Sequence, residues 1–454
     1  MCPRNALSFR GFRFGPCQGA KVACGGALYG FAPPSSFSKN CTYLRAYAQK
    51  SQNNYCRVLV FGVICLQMST KQHNLSARIA EVRALVKLSQ AQLATKLGVS
   101  TSLVSHWEKG TRTPSESQTL DLAQHMGVGL DYLLNAEVRP HFQPRTRVTS
   151  PQQDAIDRTL LDASMQVHYL DTAHRLAGKA PAPFSLSAEF DSFANLANIT
   201  SHLRDTLKLN RRVSLDELKQ ALSEWNIFVF DWQMPYHLSG LSFRGAFSVI
   251  FVNNMHPATR RLFTLAHEFA HLVFHLGRED RESKERVATA VSLASCREPA
   301  EKQANAFAGE LLMPQADLEK LVKTFGKRLQ EPACLEAVAQ HFNVSRDAIF
   351  YRLTQLGVFR WTDKVHYFVG KYSPPAPPAH RILEAKRIDR QVDPRFREIA
   401  LGLHQAEKIT TGKLAEWFFA PRYVMDEYLA ELASAKDNAI SDDPNHEEEL
   451  AAAS

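Results

Sequence analysis

Between Arg260 and Leu276 the chain reads RRLFTLAHEFAHLVFHL, one continuous helical pattern in which His267 and His271 stand four residues apart. That spacing puts both imidazoles on one helix face about a turn apart, where both can reach one metal ion. Glu268 follows the first histidine and points to the side of the pair, placed to take a proton from an attacking water rather than to bind metal. The rest of the stretch from Phe263 to Phe274 is largely apolar. Burying two imidazoles and an ionised carboxylate there is costly without a partner charge. Zinc favours such nitrogen ligands, and a catalytic zinc takes three protein ligands and keeps one position open.

The third ligand has to come from elsewhere. His275 repeats the spacing, but His267 and His275 are two turns apart, roughly 12 Å along the axis, too far for one ion. A second helix is predicted in EKQANAFAGELLMP, Glu301–Pro314, introduced by Pro299. Winding it puts Glu301 on the face of Ala304, Asn305, Ala308 and Leu312, small enough for close approach to the first helix. Glu310 falls on the opposite face and is expected in solvent, and Glu298 precedes the helix. Glu301 is therefore the predicted carboxylate ligand.

A different pattern occupies 74–135. Ile79, Val82 and Leu85 recur at helical spacing, Ser89 caps a helix over Gln90–Leu97, and Gly98 ends it. Ser100 caps a third helix with Leu103, Val104 and Trp107 as its buried stripe. Leu120, Leu122 and Ala123, then Leu130, Leu133 and Leu134, close a five-helix domain.

Charge and cysteine are uneven. Net charge is +8 over 454 residues, yet residues 1–67 hold eight Lys and Arg and no acid, so the remainder is neutral. Global charge thus says nothing about what the folded part binds. Six of the eight cysteines also lie before Met68, leaving Cys296 and Cys334, which fits a reducing cytoplasm. Residues 1–67 lack periodicity and read as a spurious or disordered leader. No apolar run reaches the roughly 20 residues of a membrane helix, so the protein is expected to be cytoplasmic.

LSQAQLATKLGVSTSLVSHWEKGTRTPS resembles the lambda-repressor/Cro type, or XRE family, of helix-turn-helix domain. The resemblance implies binding of double-stranded DNA as a homodimer. It also implies base contacts from Thr101, Ser102, Ser105 and His106, with phosphate contacts from Gln90, Lys109 and Arg112. The pair RLFTLAHEFAHLVFH and E-x-x-A-N-x-F-A-x-x-L-L-M-P resembles the ImmA/IrrE metallopeptidases. That implies zinc on His267, His271 and Glu301, with Glu268 as general base, in a thermolysin-like core. Ser248–Asn253 would be a strand beside the helix, an edge that takes an extended peptide.

The expected fold is mainly α with a small β-sheet. A helix-turn-helix domain spans 68–137, followed by a linker with a helix over 138–189. An α+β zinc peptidase domain covers 190–358, a helical region of unassigned role 359–436, and an acidic disordered tail 437–454. Within 335–356, helix, Asn-Val-Ser cap, helix reads as a structural cap on the peptidase, a second DNA-reading unit being the alternative. The functional expectation is a DNA-binding regulator that cleaves a partner repressor or antitoxin. The alternative is a non-proteolytic transcription factor whose peptidase-like domain senses a ligand or stress signal.

Overall fold

A computed structural model describes residues 75–135, 151–179, 192–276, 286–291, 299–360 and 385–441. The leader reading of 1–67 and the tail beyond 441 lie outside the described residues. The fold is mainly helical around one small sheet, and among the described residues no helix is long and apolar enough to cross a membrane.

The first domain has the five expected helices: α1 (75–85), α2 (Gln90–Leu97), α3 (Thr101–Glu108), α4 (Glu116–Met126) and α5 (Leu130–Asn135). Ser89 and Gln92 form a capping box on α2, and Gly98 adopts φ 64°, a left-handed turn that reverses the chain without a Cβ penalty. Ile79, Val82, Leu93, Val104, Trp107, Leu122 and Leu133 fill its core. Leu120, Leu130 and Leu134, expected inside, are instead exposed by 53%, 37% and 43%, because α4 and α5 turn those positions outward.

The segment expected as a linker contains α6 (Pro151–Leu176), which is a buried spine. Its apolar side chains are not confined to one stripe: Leu160, Leu161, Ala163, Met165, Val167, Tyr169, Leu170 and Ala173 are all buried. A helix apolar nearly all round must be surrounded, not solvated. Towards the first domain, Lys87 reaches Asp154 and Asp157 at 2.5 and 3.0 Å, and His168 Nε2 lies 3.0 Å from Asp131 Oδ2. Its other end packs the His174 ring against Phe228 and Phe247 of the sheet region.

After α7 (Leu196–Thr206) and α8 (Leu215–Glu224) come β1 (Ile227–Trp232), β2 (Leu238–Arg244) and β3 (Ser248–Asn253), with β4 (Arg286–Val291) later in the chain. The spatial order is β1-β3-β2-β4. β3 runs parallel to β1 and antiparallel to β2, and β2 is antiparallel to β4. β3 is thus paired on both sides, so the expectation that it offers a peptide-binding edge is corrected. Its continuous apolar run is buried on both faces, as suits an interior strand. The edges of the sheet are β1 and β4.

Alternation along the strands divides two cores. Phe228, Phe230, Trp232, Phe243, Val249 and Phe251 face α6 and the C-terminal helices, whereas Ile227, Val229, Ile250 and Val252 face the helices that carry the candidate site. These latter helices are α9 (Ala258–Ala270), α10 (Pro299–Leu312), α11 (Gln315–Phe325), α12 (Pro332–His341) and α13 (Arg346–Gln355). α12 and α13 bury Leu335, Val338, Ile349, Phe350 and Leu353 in this same core, as a structural cap does.

The C-terminal region acquires a structural role that its sequence did not disclose. α14 (Ala385–Gln391), α15 (Pro394–Gln405), α16 (Thr411–Trp417) and α17 (Arg422–Ser441) cover the outer face of the sheet through Phe396, Leu414, Trp417 and Met425. The Tyr169 hydroxyl donates to Glu416 Oε1 at 2.9 Å, tying α6 to α16. Asp393 Oδ2 accepts from Val229 N at 2.9 Å and Arg395 donates to Ile227 O, so two side chains occupy the free edge of β1. α17 also continues through 437–441, where a disordered tail was expected.

Candidate metal centre

α9 begins after Pro257, crosses the sheet on its inner side, and is buried from Thr264 to Ala270 without a break. The sheet lies on one side of it and α10 on the other. Close approach to β2 depends on Gly240: a Cβ there would lie 2.7 Å from Thr264 Cγ2 and 2.9 Å from Glu268 Cγ and Oε1. A Gly240→Val variant is therefore expected to push α9 off the sheet, costing about 1–3 kcal/mol and weakening metal retention. Urea melts with parallel metal analysis check this; unchanged values for both would refute the packing argument.

The structure brings His267, His271 and Glu301 together in one cluster. His267 Nε2 lies 3.1 Å from His271 Nε2 and 3.2 Å from Glu301 Oε2, while His271 Nε2 lies 3.4 Å from Glu301 Oε1. Two ligand atoms, each about 2.0–2.1 Å from a tetrahedral zinc, stand roughly 3.3 Å apart. The three separations fit that spacing.

Charge points the same way. His267, Glu268, His271 and Glu301 are exposed by only 6, 0, 0 and 7%, so two carboxylates are buried beside two imidazoles. Burial pulls the His267 pKa down. The hydrogen bond to Glu301, with the negative charges of Glu268 and Glu301, outweighs burial and holds it above the ordinary histidine value. The pocket favours positive charge, and a divalent cation would balance both acids.

Neighbouring side chains hold the cluster in place. Asn305 Oδ1 accepts from His267 Nδ1 at 3.0 Å, leaving Nε2 to face Glu301. Asn305 is one turn beyond Glu301, a spacing visible in the sequence. Ser242 on β2 donates to Glu268 Oε2 at 2.6 Å. Past Ala270 the helix widens into a π turn, His271–His275, where Arg244 donates to Leu272 O at 2.6 Å. His275 lies outside the ligand cluster, as its spacing predicts.

Glu310 departs from expectation. It is 6% exposed and paired with Arg352 of α13, which is 7% exposed. The face of α10 opposite Glu301 is covered by α13, so a carboxylate there needs a cation, and Arg352 supplies it.

On the first domain, Thr101, Ser102, His106, Lys109 and Arg112 are exposed and Ser105 is half-buried. His106 Nδ1 meets Thr111 Oγ1 at 2.8 Å, and Ser102 Oγ lies 3.0 Å from Ser100 Oγ. Gln90, expected at a phosphate, donates to Glu108 Oε2 at 2.6 Å. Arg83 grips the same carboxylate with Nε and Nη2. Gln90 thus helps to fix α2 against α3.

Residues 228–354 match the profile of a peptidase family described as the IrrE N-terminal-like domain, and residues 79–133 match a helix-turn-helix profile. No curated protein matches the chain. Among solved structures, the apo competence regulator ComR of Streptococcus vestibularis is 12% identical, covering 65% of this chain and 90% of that one, with a TM-score of 0.14. Apo ComR of S. thermophilus is also 12% identical over 65% and 96%, with a TM-score of 0.14. ComR of Streptococcus suis is 12% identical over 78% and 93%, with a TM-score of 0.13. At those scores the likeness carries no argument.

Proposed function

For a chain that joins a DNA-binding helix-turn-helix domain to an IrrE N-terminal-like peptidase-family domain, we propose a transcription regulator that also hydrolyses a peptide bond in a partner repressor or antitoxin. The observation that carries this reading is the convergence of His267, His271 and Glu301, beside the buried carboxylate of Glu268. The two imidazoles would each offer Nε2 and Glu301 a carboxylate oxygen, a donor set suited to zinc. Zinc held there supplies a Lewis acid for the scissile carbonyl and makes water more acidic.

The chain's own residues do the rest. Glu268 takes the proton of the attacking water and returns it to the leaving amine. The Ser242 hydroxyl on Oε2 fixes the rotamer of that carboxylate. Asn305 keeps the hydrogen of His267 on Nδ1. A buried site of this kind limits competing water and strengthens each polar contact.

The test is direct. Purified full-length chain is analysed for metal and incubated, with and without zinc, with any repressor or antitoxin found encoded in the neighbouring genes. Zinc-dependent cutting at one bond supports the reading. Stoichiometric zinc without cutting, together with normal promoter control by the Glu268→Gln variant, favours the sensing alternative.

In the DNA-reading domain, the exposed Thr101, Ser102 and His106, with Ser105, supply base contacts, and Gln90, Lys109 and Arg112 supply phosphate contacts. Two copies on a palindrome compensate for a short-chained recognition face. Lys109→Ala and Arg112→Ala are each expected to weaken binding equally across sequences and to lower the salt slope by about 1. Fluorescence anisotropy over a salt series measures this; a loss restricted to one operator would assign those residues to base reading instead.

A further inference from the structure

His275 lies half-buried beside the metal cluster without belonging to it, and neither the ligand set nor the proposed hydrolysis uses it. Its Nδ1 lies 3.0 Å from His271 Nδ1, and its Nε2 lies 2.9 Å from Gln303 Oε1. The π turn brings the two rings together, with centroids 4.9 Å apart and their planes tilted by 56°.

Hydrogen positions along this row are linked. A neutral imidazole carries one hydrogen, and its other nitrogen is an acceptor. The carbonyl oxygen of Gln303 only accepts, so it draws the hydrogen of His275 to Nε2. Nδ1 of His275 is then a lone pair, and the contact with His271 requires the hydrogen on His271 Nδ1. That leaves the lone pair of His271 on Nε2, the atom that faces His267 Nε2 and Glu301. The oxygen of one glutamine thereby sets the tautomer of a ring two residues along the relay.

We infer that Gln303 and His275 form a hydrogen-bond relay that positions His271 as a metal ligand and fixes its tautomer. α10 then supplies all three determinants of the cluster: a carboxylate from Glu301, the orientation of His267 through Asn305, and that of His271 through Gln303 and His275. The inference rests on the reading of His271 as a ligand. Both histidines are positioned by an oxygen acceptor, one directly and one through an intervening ring. Partners of this kind typically control metal affinity by 10–100-fold.

The test measures zinc affinity of the metal-depleted full chain by chelator competition, with the absorption spectrum of the cobalt(II)-loaded chain as a second readout. His275→Ala is expected to bind zinc about 10–100-fold more weakly and to shift the cobalt d–d bands. Gln303 is half-buried, so its variants disturb folding less. Gln303→Glu keeps an acceptor and is expected to retain the wild-type spectrum and affinity. Gln303→Lys presents a donor, which reverses every hydrogen in the row and places one on His271 Nε2; its affinity is expected to fall as far as that of His275→Ala. Gln303→Met, which is uncharged, separates the lost acceptor from the added charge and is expected to weaken binding too. A merely structural role would not distinguish Glu from Met at this position. Wild-type chain that binds no zinc would remove the ligand reading itself. Tight wild-type binding that is retained undiminished in the Met and Lys variants would overturn the relay alone. Should His275→Ala fail to fold by circular dichroism, the Gln303 series decides.

Discussion

Glu268→Gln is expected to lower peptide cleavage about 10²–10⁴-fold while metal content stays at the wild-type level. Glutamine matches glutamate in shape, and its carbonyl oxygen can still accept from Ser242, now 2.6 Å from Glu268 Oε2. What it lacks is a lone pair basic enough to hold a proton while the bond breaks. The side chain is fully buried, so bulk water cannot take over that task easily. Glu301→Ala acts differently: it deletes a ligand, and metal and cleavage should disappear together. Metal stoichiometry and single-turnover cleavage of the same preparations separate the two outcomes. A Gln variant that cleaves at the wild-type rate would remove Glu268 from the chemistry.

The second large effect concerns stability. Removing only one partner of the Glu310–Arg352 pair leaves an uncompensated charge in the interior and is expected to cost about 3–5 kcal/mol. Arg352 also donates to Met313 O at 3.4 Å and Gln355 Oε1 at 3.3 Å, and Glu310 Oε1 accepts from Gln315 N at 3.1 Å. Burial pulls the guanidinium down to about 10, which still leaves it charged at neutral pH. Glu310→Ala therefore strands a cation. Replacing both partners, Glu310→Leu with Arg352→Met, is expected to be close to neutral, since an apolar pair of similar volume avoids the desolvation cost. Urea denaturation of the two single variants and the double variant measures the difference. Additive losses would show that the pair is not coupled. Because Glu310 and Glu301 share α10, the single variants should also lose metal more readily.

The chemistry was legible in the sequence wherever it depended on local spacing. His267, Glu268 and His271 lie on one helical stretch, and helical winding selected Glu301 over Glu310, while Pro299 left Glu298 outside the helix. Ser89, Gly98 and Ser100 marked the helix ends, since caps act within a turn. What could not be read were interactions whose partners lie far apart along the chain. Glu310 looked solvated because Arg352 is a distant residue, and the hold of Glu108 on Gln90 was not visible because the two lie on different helices. The π turn at 271–275 has no periodicity signature, so His275 could be rejected as a ligand but not recognised as the neighbour of His271. The interior place of β3 depends on pairing with β1 and β2, which one strand's own sequence does not encode. α6 was visible as a helix, yet the breadth of its apolar surface was the overlooked sign that something surrounds it.

That spine has a consequence for how this molecule can be switched. Tyr132 of α5 meets His168 edge-on at 5.7 Å, and the interiors of the head and of the outer sheet layer are continuous through α6. Nicking the backbone between residues 135 and 151 would therefore not liberate a free-standing operator-binding fragment. The two pieces would stay clasped by a common hydrophobic seam, so self-scission at that junction cannot serve this protein as a release catch.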